Sequence, residues 1–277
     1  MKVYIYKPDK SGFQDDWLFA ADMGFKQLGA KIIYFDNIQS VPYAPDNVVV
    51  AYIEDTQYYI DKNIGYILMP MNIPSPLSRP SFTGRKIRDS IELRHVKDTV
   101  SVFNLEKIFI KPAEVTKQFP SGVIKISNLD ILIPRSSGIG GAAEILGLRP
   151  ITDYTRVFIS EPVEIFSEWR CFVHNNKLVG LQWYSGDFTE FPSNDKIINF
   201  IDRMRTWEHC PIAYTLDVAI IRSNKFENND SPESNSRTVI MECNDAWSIG
   251  NYGLDPLIYV KMLRDRWFEL TNYRKCT

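Results

Sequence analysis

Short apolar runs and one amphipathic segment alternate along the first third of the chain. Residues 2–6, 30–35 and 47–53 are rich in β-branched and aromatic side chains, and this composition predicts three strands. Between the first two runs, residues 15–28 carry apolar side chains three or four positions apart, which predicts one face of a helix. This order of strand, helix and strand predicts a small parallel α/β unit. The prolines within residues 72–80 predict an extended linker that ends the unit.

Two mainly apolar segments in the last third of the chain each include one or more polar residues, and a polar loop joins the two segments. Residues 213–221 and 238–247 have the composition of strands. If these strands pair without a bulge, Asp217 lies opposite Glu242, and Asn244 projects from the same face as Glu242. Facing carboxylates repel each other unless a cation lies between them, and oxygen ligands suit Mg²⁺. The pattern indicates a magnesium site; the alternative is an ordinary hairpin with these residues at its surface.

A hairpin with two charged side chains on one face is predicted before this pair of strands. The short connection Glu161–Glu164 leads into residues 165–173, and residues 178–184 return as the partner strand after a polar turn. Side chains alternate along a strand, so Glu168 and Arg170 share one face. They are candidate ligand-binding residues, and the alternative is that they belong to a cross-strand ladder of charges.

A lysine and a glycine flank another predicted hairpin. Residues 107–112 predict a strand with Lys111 near its end, and residues 123–126 predict the strand that follows Gly122. A lysine at a strand end provides a point charge for phosphate oxygens, and a glycine lets backbone N–H groups approach them closely. The connecting residues are polar or turn-forming, so we expect a flexible tip.

A glycine-rich stretch later in the chain offers a competing interpretation. Residues 138–143 fit the pattern G-x-G-x-x-A of dinucleotide-binding proteins. That interpretation requires a strand–helix–strand unit around the stretch, and the sequence shows no clean unit of this kind there. A glycine-rich turn before a helix is therefore favoured. The sequence also contains no G-x-x-x-x-G-K phosphate loop.

Arginines cluster in the segment after the proline-rich linker. Residues 82–96 predict a helix that places Arg85 and Arg88 close to Arg79. Guanidinium groups bind carboxylates and phosphates through two parallel hydrogen bonds, so the cluster predicts a site for one of these groups. The alternative is a solvent-exposed basic face of the helix.

Composition and charge narrow the classes of function. The chain has 277 residues, of which 44% are apolar and 24% charged, as in ordinary globular proteins. A net charge of -2 gives no general attraction to nucleic acid or anionic membrane. No apolar run approaches a membrane span, the first residues predict a strand and not a signal peptide, and the cysteines lack paired spacing. We expect a cytoplasmic protein without nucleic-acid or membrane partners, and its oligomeric state is open.

The order of these features resembles the ATP-grasp superfamily. Asp217 followed by Glu242-x-Asn244 on neighbouring strands is its magnesium signature, and Lys111 precedes them as the superfamily's phosphate lysine does. Arg170 has no direct counterpart in the best-known members, but it matches a clade of ATP-grasp amidoligases found largely in bacteria and their phages. The resemblance implies an α+β fold, in which two lobes sandwich ATP after a small α/β domain.

The implied domain boundaries follow from this resemblance. Residues 1–80 would form the amino-terminal α/β domain and residues 81–277 the ATP-grasp domain. Within the latter, residues 81–155 would form the smaller nucleotide lobe and residues 156–277 the core lobe.

The resemblance also implies a role for each candidate residue. Lys111 and Gly122 would contact the phosphates of ATP, and Glu168 would bind the ribose hydroxyls. Arg170 would bind a phosphate or an acyl phosphate. The groups that meet the adenine edge would come from Glu161, Pro162, Val163 and Glu164. The implied magnesium ligands are Asp217, Glu242 and Asn244. The implied ligands of a substrate carboxylate are Arg79, Arg85 and Arg88.

The implied reaction is the ligation of a carboxylate to an amine. ATP would phosphorylate the carboxylate and the amine would attack the acyl phosphate, with Mg²⁺, Lys111 and Arg170 neutralising charge. This chemistry needs no covalent enzyme nucleophile, and the sequence has no Ser-His-Asp or Cys-His pattern. The alternatives are a small-molecule kinase of the same fold, a nucleotide-binding protein without ligase activity, and an unrelated α/β protein. A small molecule, an amino acid or a peptide would be the substrate.

Overall fold

The computed structural model of the protein describes most of the chain. The described residues are 1–8, 12–13, 15–65, 73–85, 88–113, 119, 121–128, 151–222 and 236–271. They fall into two compact units. The large unit comprises Met1–Thr83 with Ile165–Thr277, and the small unit comprises Gly84–Glu164.

Both units mix helices and strands. The described strands are β1 (Lys2–Tyr6), β2 (Lys31–Phe35), β3 (Asn47–Val50), β4 (Arg88–Glu92), β5 (Lys107–Pro112), β6 (Gly122–Lys125), β7 (Arg156–Ser160), β8 (Ile165–His174), β9 (Lys177–Gly186), β10 (Ala213–Arg222) and β11 (Ser236–Asp245). The described helices are α1 (Asp16–Gln27), α2 (Ile53–Asn63), α3 (Pro80–Thr83), α4 (Val96–Val102), α5 (Asn194–Met204) and α6 (Pro256–Leu270). Among these, no helix has the length and apolar character needed to cross a membrane.

The amino-terminal sheet is parallel, in the order β2-β1-β3. Its central strand, β1, is buried from Val3 to Ile5, and all four residues of β3 are buried. Continuous apolar burial of this kind is typical of parallel strands covered on both faces. Because α1 connects β1 to the parallel strand β2, the predicted α/β unit is confirmed.

The hydrophobic core of this sheet continues into the last helix. Phe25 of α1 and Tyr59 of α2 lie in one cluster with Tyr259 and Trp267 of α6. Each of these four side chains is at most 2% exposed. The beginning of the chain and its closing helix therefore fold around a common core.

Helix α1 approaches α6 so closely that only glycine fits at the contact. A Cβ atom on Gly24 would lie 2.3 Å from the carbonyl oxygen of Pro256, and this backbone atom cannot rotate away. We expect Gly24→Ala to lower the free energy of unfolding by about 1–3 kcal/mol, the usual cost of overpacking. Urea denaturation measures the loss. Gly122→Ala is the matched control, because its Cβ would meet nothing within 4 Å. Equal losses in the two variants would contradict this packing.

An antiparallel sheet in the order β11-β10-β8-β9 completes the large unit. The turn between β8 and β9 is formed by Asn175 and Asn176, whose φ angles of 52° and 57° are the positive values that two-residue hairpin turns require. Helix α5 covers one face of the sheet with Ile197 and Phe200. The side chain of Ser193 caps α5 by accepting a hydrogen bond from its first turn. The predicted hairpin of β8 and β9 is confirmed.

The prediction of an extended linker over residues 72–80 is wrong in its described part. Ser75–Leu77 forms a short 3₁₀ turn, which tolerates a proline in its first positions. Leu77 is 0% exposed and packs in the same cluster as Trp169 and Phe200. Burial of this leucine therefore ties the segment to the core of the large unit.

The small unit contains an antiparallel sheet in the order β4-β7-β5-β6. The predicted hairpin of β5 and β6 is confirmed. The predicted helix over residues 82–96 is wrong, because Arg88–Glu92 forms β4 and pairs with β7, with Ile91 opposite Val157. The backbone hydrogen bonds of this pairing outweigh the helical spacing of the sequence. Apart from the short α3, the helix of this segment begins only at Val96.

The boundaries of the two units differ from the domain boundaries that the sequence predicts. Strand β7, at residues 156–160, belongs to the small unit because it pairs with β4 and β5. The amino-terminal sheet belongs to the large unit because it shares a core with α6. The functional division into residues 1–80, 81–155 and 156–277 stays a prediction.

Candidate active site

The acidic side chains of β10 and β11 face each other because of a bulge. Near the loop, Arg222 pairs with Ser236, and this register alone would place Met241 opposite Asp217. The register shifts by one residue between Asp217 and the residue that follows it on β10, so that Asp217 pairs with Glu242. An extra residue on one strand is the defining feature of a β-bulge, which re-aims the side chains beyond it. The predicted pairing is therefore confirmed, although it depends on the bulge that the prediction left out.

A buried ion pair joins Asp217 to the neighbouring strand. Arg170 of β8 lies directly opposite Asp217 of β10. Its Nε donates a hydrogen bond to Oδ1 at 2.7 Å, and its Nη2 donates one to Oδ2 at 2.6 Å. The two residues are 9% and 2% exposed, so water screens the pair poorly. The cross-strand ion pair that the sequence left as an alternative for Arg170 is present.

The amide of Asn244 bridges the two carboxylates. Its Nδ2 donates to Glu242 Oε1 at 3.1 Å and to Asp217 Oδ2 at 3.4 Å. Burial raises the pKa of the Asp217 carboxyl to about 6, the guanidinium of Arg170 opposes this shift, and Glu242 adds to it. Burial and the neighbouring Glu242 carboxylate therefore both disfavour the negative charge on Asp217, and positive charge nearby stabilises it.

Two tyrosines complete the same face of the sheet. Tyr184 of β9 donates a hydrogen bond from its hydroxyl to Glu168 Oε1 at 3.4 Å. The ring of Tyr252 lies over the guanidinium of Arg170, with 4.5 Å between the ring centroid and Cζ. The rings of Tyr184 and Tyr252 contact each other at 5.5 Å between centroids. Glu168 and Arg170 therefore lie in one continuous group of polar and aromatic side chains.

The phosphate-binding candidates lie in the small unit. Lys111 is the penultimate residue of β5, and its Nζ is 5.8 Å from the ring centroid of Phe158. Gly122 begins β6. Of the connecting loop, residues 114–118 and 120 lie outside the described residues.

The candidate adenine-binding segment connects β7 to β8 without regular structure. Its first three residues are half-buried and its last is exposed; they are Glu161, Pro162, Val163 and Glu164. The glycine-rich stretch at 138–143 lies outside the described residues.

The candidate arginines of the substrate site differ in environment. Arg79 is exposed and belongs to the large unit, whereas Arg85 is 6% exposed and belongs to the small unit. The backbone of Arg88 begins β4, and its side chain lies outside what the structure describes. A single basic helix face is not formed, because Arg88 is in a strand.

The sequence matches a known domain family over residues 82–262, which is more than half of the 277-residue chain. The description of that family is "ATP-grasp domain, R2K clade family 2". The protein belongs to this family. Its membership confirms the predicted ATP-grasp fold and the predicted relation to a distinct clade of that superfamily. No curated protein matches the sequence at a significant level.

Solved structures share the fold of this R2K-clade protein at low sequence identity. D-cycloserine synthetase DcsG aligns with a TM-score of 0.55 and 9% identity, covering 96% of this chain and 100% of that one. The RimK domain protein ATP-grasp from Sphaerobacter thermophilus aligns with a TM-score of 0.52 and 8% identity, covering 98% and 100%. At such identity the likeness concerns the fold, which in ATP-grasp proteins binds ATP.

The side chains at the β10–β11 pair fit a magnesium ion that arrives with a nucleotide. In the described part of this ATP-grasp chain, no group of three or more His, Cys, Asp or Glu side chains is arranged to hold a metal ion. Strands β10 and β11 provide two carboxylates and one amide. An N–H group of this amide, from Asn244, lies between the carboxylates. Mg²⁺ is commonly held by one or two carboxylates together with substrate phosphates. The donor set matches that mode and not a site built from protein ligands alone.

Two features of the site were left unassigned by the sequence of this ATP-grasp protein. A cross-strand ladder of charges was one alternative for Arg170, but the partner, Asp217, was not named. Tyr184 and Tyr252 were assigned no role. The strand register between β8 and β10 would have revealed the first feature, because it places Arg170 opposite Asp217. An aromatic residue directly before Gly253, in a loop, was the available signal for Tyr252.

Proposed function

We propose that the protein is an ATP-dependent carboxylate–amine ligase that forms an amide bond through an acyl phosphate. The observation that carries this proposal is the pairing of Asp217 with Glu242, bridged by Asn244, in a chain of the ATP-grasp family. This donor set suits the metal that accompanies the terminal phosphates of ATP.

The magnesium site is proposed to consist of Asp217, Glu242 and Asn244. The ion would supply positive charge at the terminal phosphates of ATP. The protein's part is to hold the two carboxylates in place before the nucleotide arrives. Asp217 is held by the two hydrogen bonds from Arg170, and Glu242 by the hydrogen bond from Asn244. Preorganisation of this kind avoids reorganisation during the reaction.

The proposed nucleotide ligands are the residues that the ATP-grasp resemblance implies. Lys111 and Gly122 would bind phosphate oxygens, and Glu168 would bind the ribose hydroxyls, with its carboxylate oriented by Tyr184. The adenine edge would meet the backbone of Glu161, Pro162, Val163 and Glu164.

Arg170 is proposed to act at the transferred phosphoryl group while it holds Asp217. Its Nε and Nη2 are engaged by the carboxylate, whereas its Nη1 makes no hydrogen bond to any described residue. One guanidinium can therefore position a metal ligand and still direct a donor towards an acyl phosphate.

The substrate carboxylate is proposed to bind the guanidinium groups of Arg79, Arg85 and Arg88. A carboxylate oxygen attacks the γ-phosphorus and ADP leaves. The amine nitrogen then attacks the acyl carbon, phosphate leaves, and the nitrogen loses a proton. An amino acid, a peptide or another small molecule would supply these groups. A cytoplasmic location is proposed, because the reaction consumes ATP.

Trapping the activated carboxylate tests this proposal. The protein is incubated with ATP, Mg²⁺, hydroxylamine and a panel of amino acids and peptides, and nucleotides are separated by chromatography. We expect ADP, phosphate and a hydroxamate, because hydroxylamine replaces the amine in attacking the acyl phosphate. Reactions without carboxylate and reactions with EDTA are the controls.

Each other outcome assigns a different function. Release of AMP would indicate adenylation of the carboxylate. ADP together with a stable phosphorylated hydroxyl compound would indicate a kinase. Tight nucleotide binding without any product across the panel would indicate a nucleotide-binding protein without ligase activity.

A further inference from the structure

The turn that carries Tyr252 has an unfavourable residue at its tip. Tyr252 has a φ angle of 46°, and the following Gly253 has a φ of 82°. Consecutive residues with positive φ form the type I′ turn, which strongly favours Asn-Gly and disfavours an aromatic residue. A bulky residue in the left-handed region is a backbone outlier, and such outliers persist only where the surroundings enforce them.

The surroundings of the turn do enforce this conformation. The backbone N–H of Leu254 donates to the carbonyl of Asn251 at 2.8 Å, and both residues are buried. A Cβ atom on Gly250 would lie 3.0 Å from the ring of Tyr252, so the absence of a side chain there makes room for the ring. The loop is anchored on both sides of a strained tyrosine.

Core packing does not explain the position of this ring. Tyr252 is 45% exposed, so its burial contributes far less than that of a core aromatic residue. The ring instead covers the guanidinium of Arg170 at 4.5 Å and contacts the ring of Tyr184. A cation over an aromatic face is attracted most strongly where water is excluded, as it is at the buried Arg170.

We propose that Tyr252 is a positioning residue for the magnesium–nucleotide site, an inference that rests on the proposed function. Asp217 accepts two hydrogen bonds along one edge of the Arg170 guanidinium, and the ring of Tyr252 lies against the face of this group. With both contacts the guanidinium has one orientation, and the Asp217 carboxylate opposite Glu242 is fixed with it. The stacking of Tyr252 on Arg170 keeps these carboxylates in place, and this contact compensates for the backbone strain at Tyr252.

The test compares one substitution that keeps the aromatic ring with one that removes it. Tyr252→Phe keeps the aromatic face, and Tyr252→Asn removes it while placing the best residue for this turn before Gly253. Affinity for a non-hydrolysable ATP analogue is measured by calorimetry with Mg²⁺ and with EDTA, and the melting temperature is measured alongside. Tyr154→Asn is the control, because Tyr154 also stacks on an arginine, Arg94, but lies outside the proposed site.

We expect Tyr252→Asn to weaken Mg²⁺-dependent binding about tenfold, in line with the loss of a desolvated cation–π contact. Its melting temperature and its binding in EDTA should stay at wild-type values or rise. Tyr252→Phe should bind as the wild type does. Unchanged Mg²⁺-dependent binding in Tyr252→Asn would overturn this inference alone. So would a lower melting temperature of this variant together with equal losses of nucleotide affinity in Mg²⁺ and in EDTA. A wild-type protein without any Mg²⁺-dependent binding would overturn the proposed function as well.

Discussion

Replacing Glu242 by glutamine is expected to lower ATP-dependent hydroxamate formation by about 10²-fold or more, the usual effect of removing one preorganised electrostatic contact. Glutamine keeps the size of the side chain and can still accept the hydrogen bond that Asn244 donates to Oε1. Only the negative charge opposite Asp217 is lost. Initial rates of ADP release with hydroxylamine present measure the effect.

The control for this prediction is a glutamate outside the site. The side chain of Glu208 is 83% exposed, so Glu208→Gln should leave the rate unchanged. Circular dichroism spectra and melting temperatures of both variants should match the wild type. Wild-type turnover in Glu242→Gln would remove Glu242 from the magnesium site.

Replacing Arg170 by alanine is expected to lower the free energy of unfolding by about 3–5 kcal/mol, because it leaves the buried Asp217 carboxylate without its partner. Urea denaturation measures the loss. Arg205→Ala is the matched control: Arg205 pairs with Asp202 at 3.3 Å, but both side chains are more than half exposed. An exposed pair of this kind contributes about 0–1 kcal/mol. Equal losses in the two variants would contradict the buried pair.

A double variant separates the structural role of Arg170 from its proposed catalytic role. Replacing both partners by apolar residues, as in Arg170→Met with Asp217→Leu, leaves no uncompensated charge and often restores stability. We expect the double variant to recover much of the stability lost in Arg170→Ala and to remain inactive in the hydroxylamine assay. A stable and active double variant would show that neither residue takes part in the reaction.

Local patterns in the sequence were sufficient for most of the fold. Apolar runs predicted most strands of the three sheets, although not β4, and the spacing of apolar residues predicted α1. The helix predicted over residues 82–96 failed because Arg88–Glu92 pairs with β7, which lies more than 60 residues away in the chain. Local spacing carries no information about such a partner.

In the candidate site, too, residues close together in the sequence could be grouped in advance, whereas contacts between distant residues could not. Glu242 and Asn244 are two residues apart on one strand, so the alternation of side chains was enough to group them. The bond between Arg170 and Asp217 spans 47 residues and depends on the register of two strands. The position of Tyr252 depends on a positive φ angle, which sequence patterns associate with Gly and Asn and not with tyrosine.

Asp217 and Glu242 are proposed to bind a divalent cation together with ATP. Mn²⁺ prefers the same oxygen ligands as Mg²⁺ and has an electron paramagnetic resonance signal, so bound ions can be counted directly. With a non-hydrolysable ATP analogue, we predict saturable binding of Mn²⁺ to the wild-type protein and its loss in Glu242→Gln and in Asp217→Asn. Equal Mn²⁺ binding in the wild type and both variants would contradict the account.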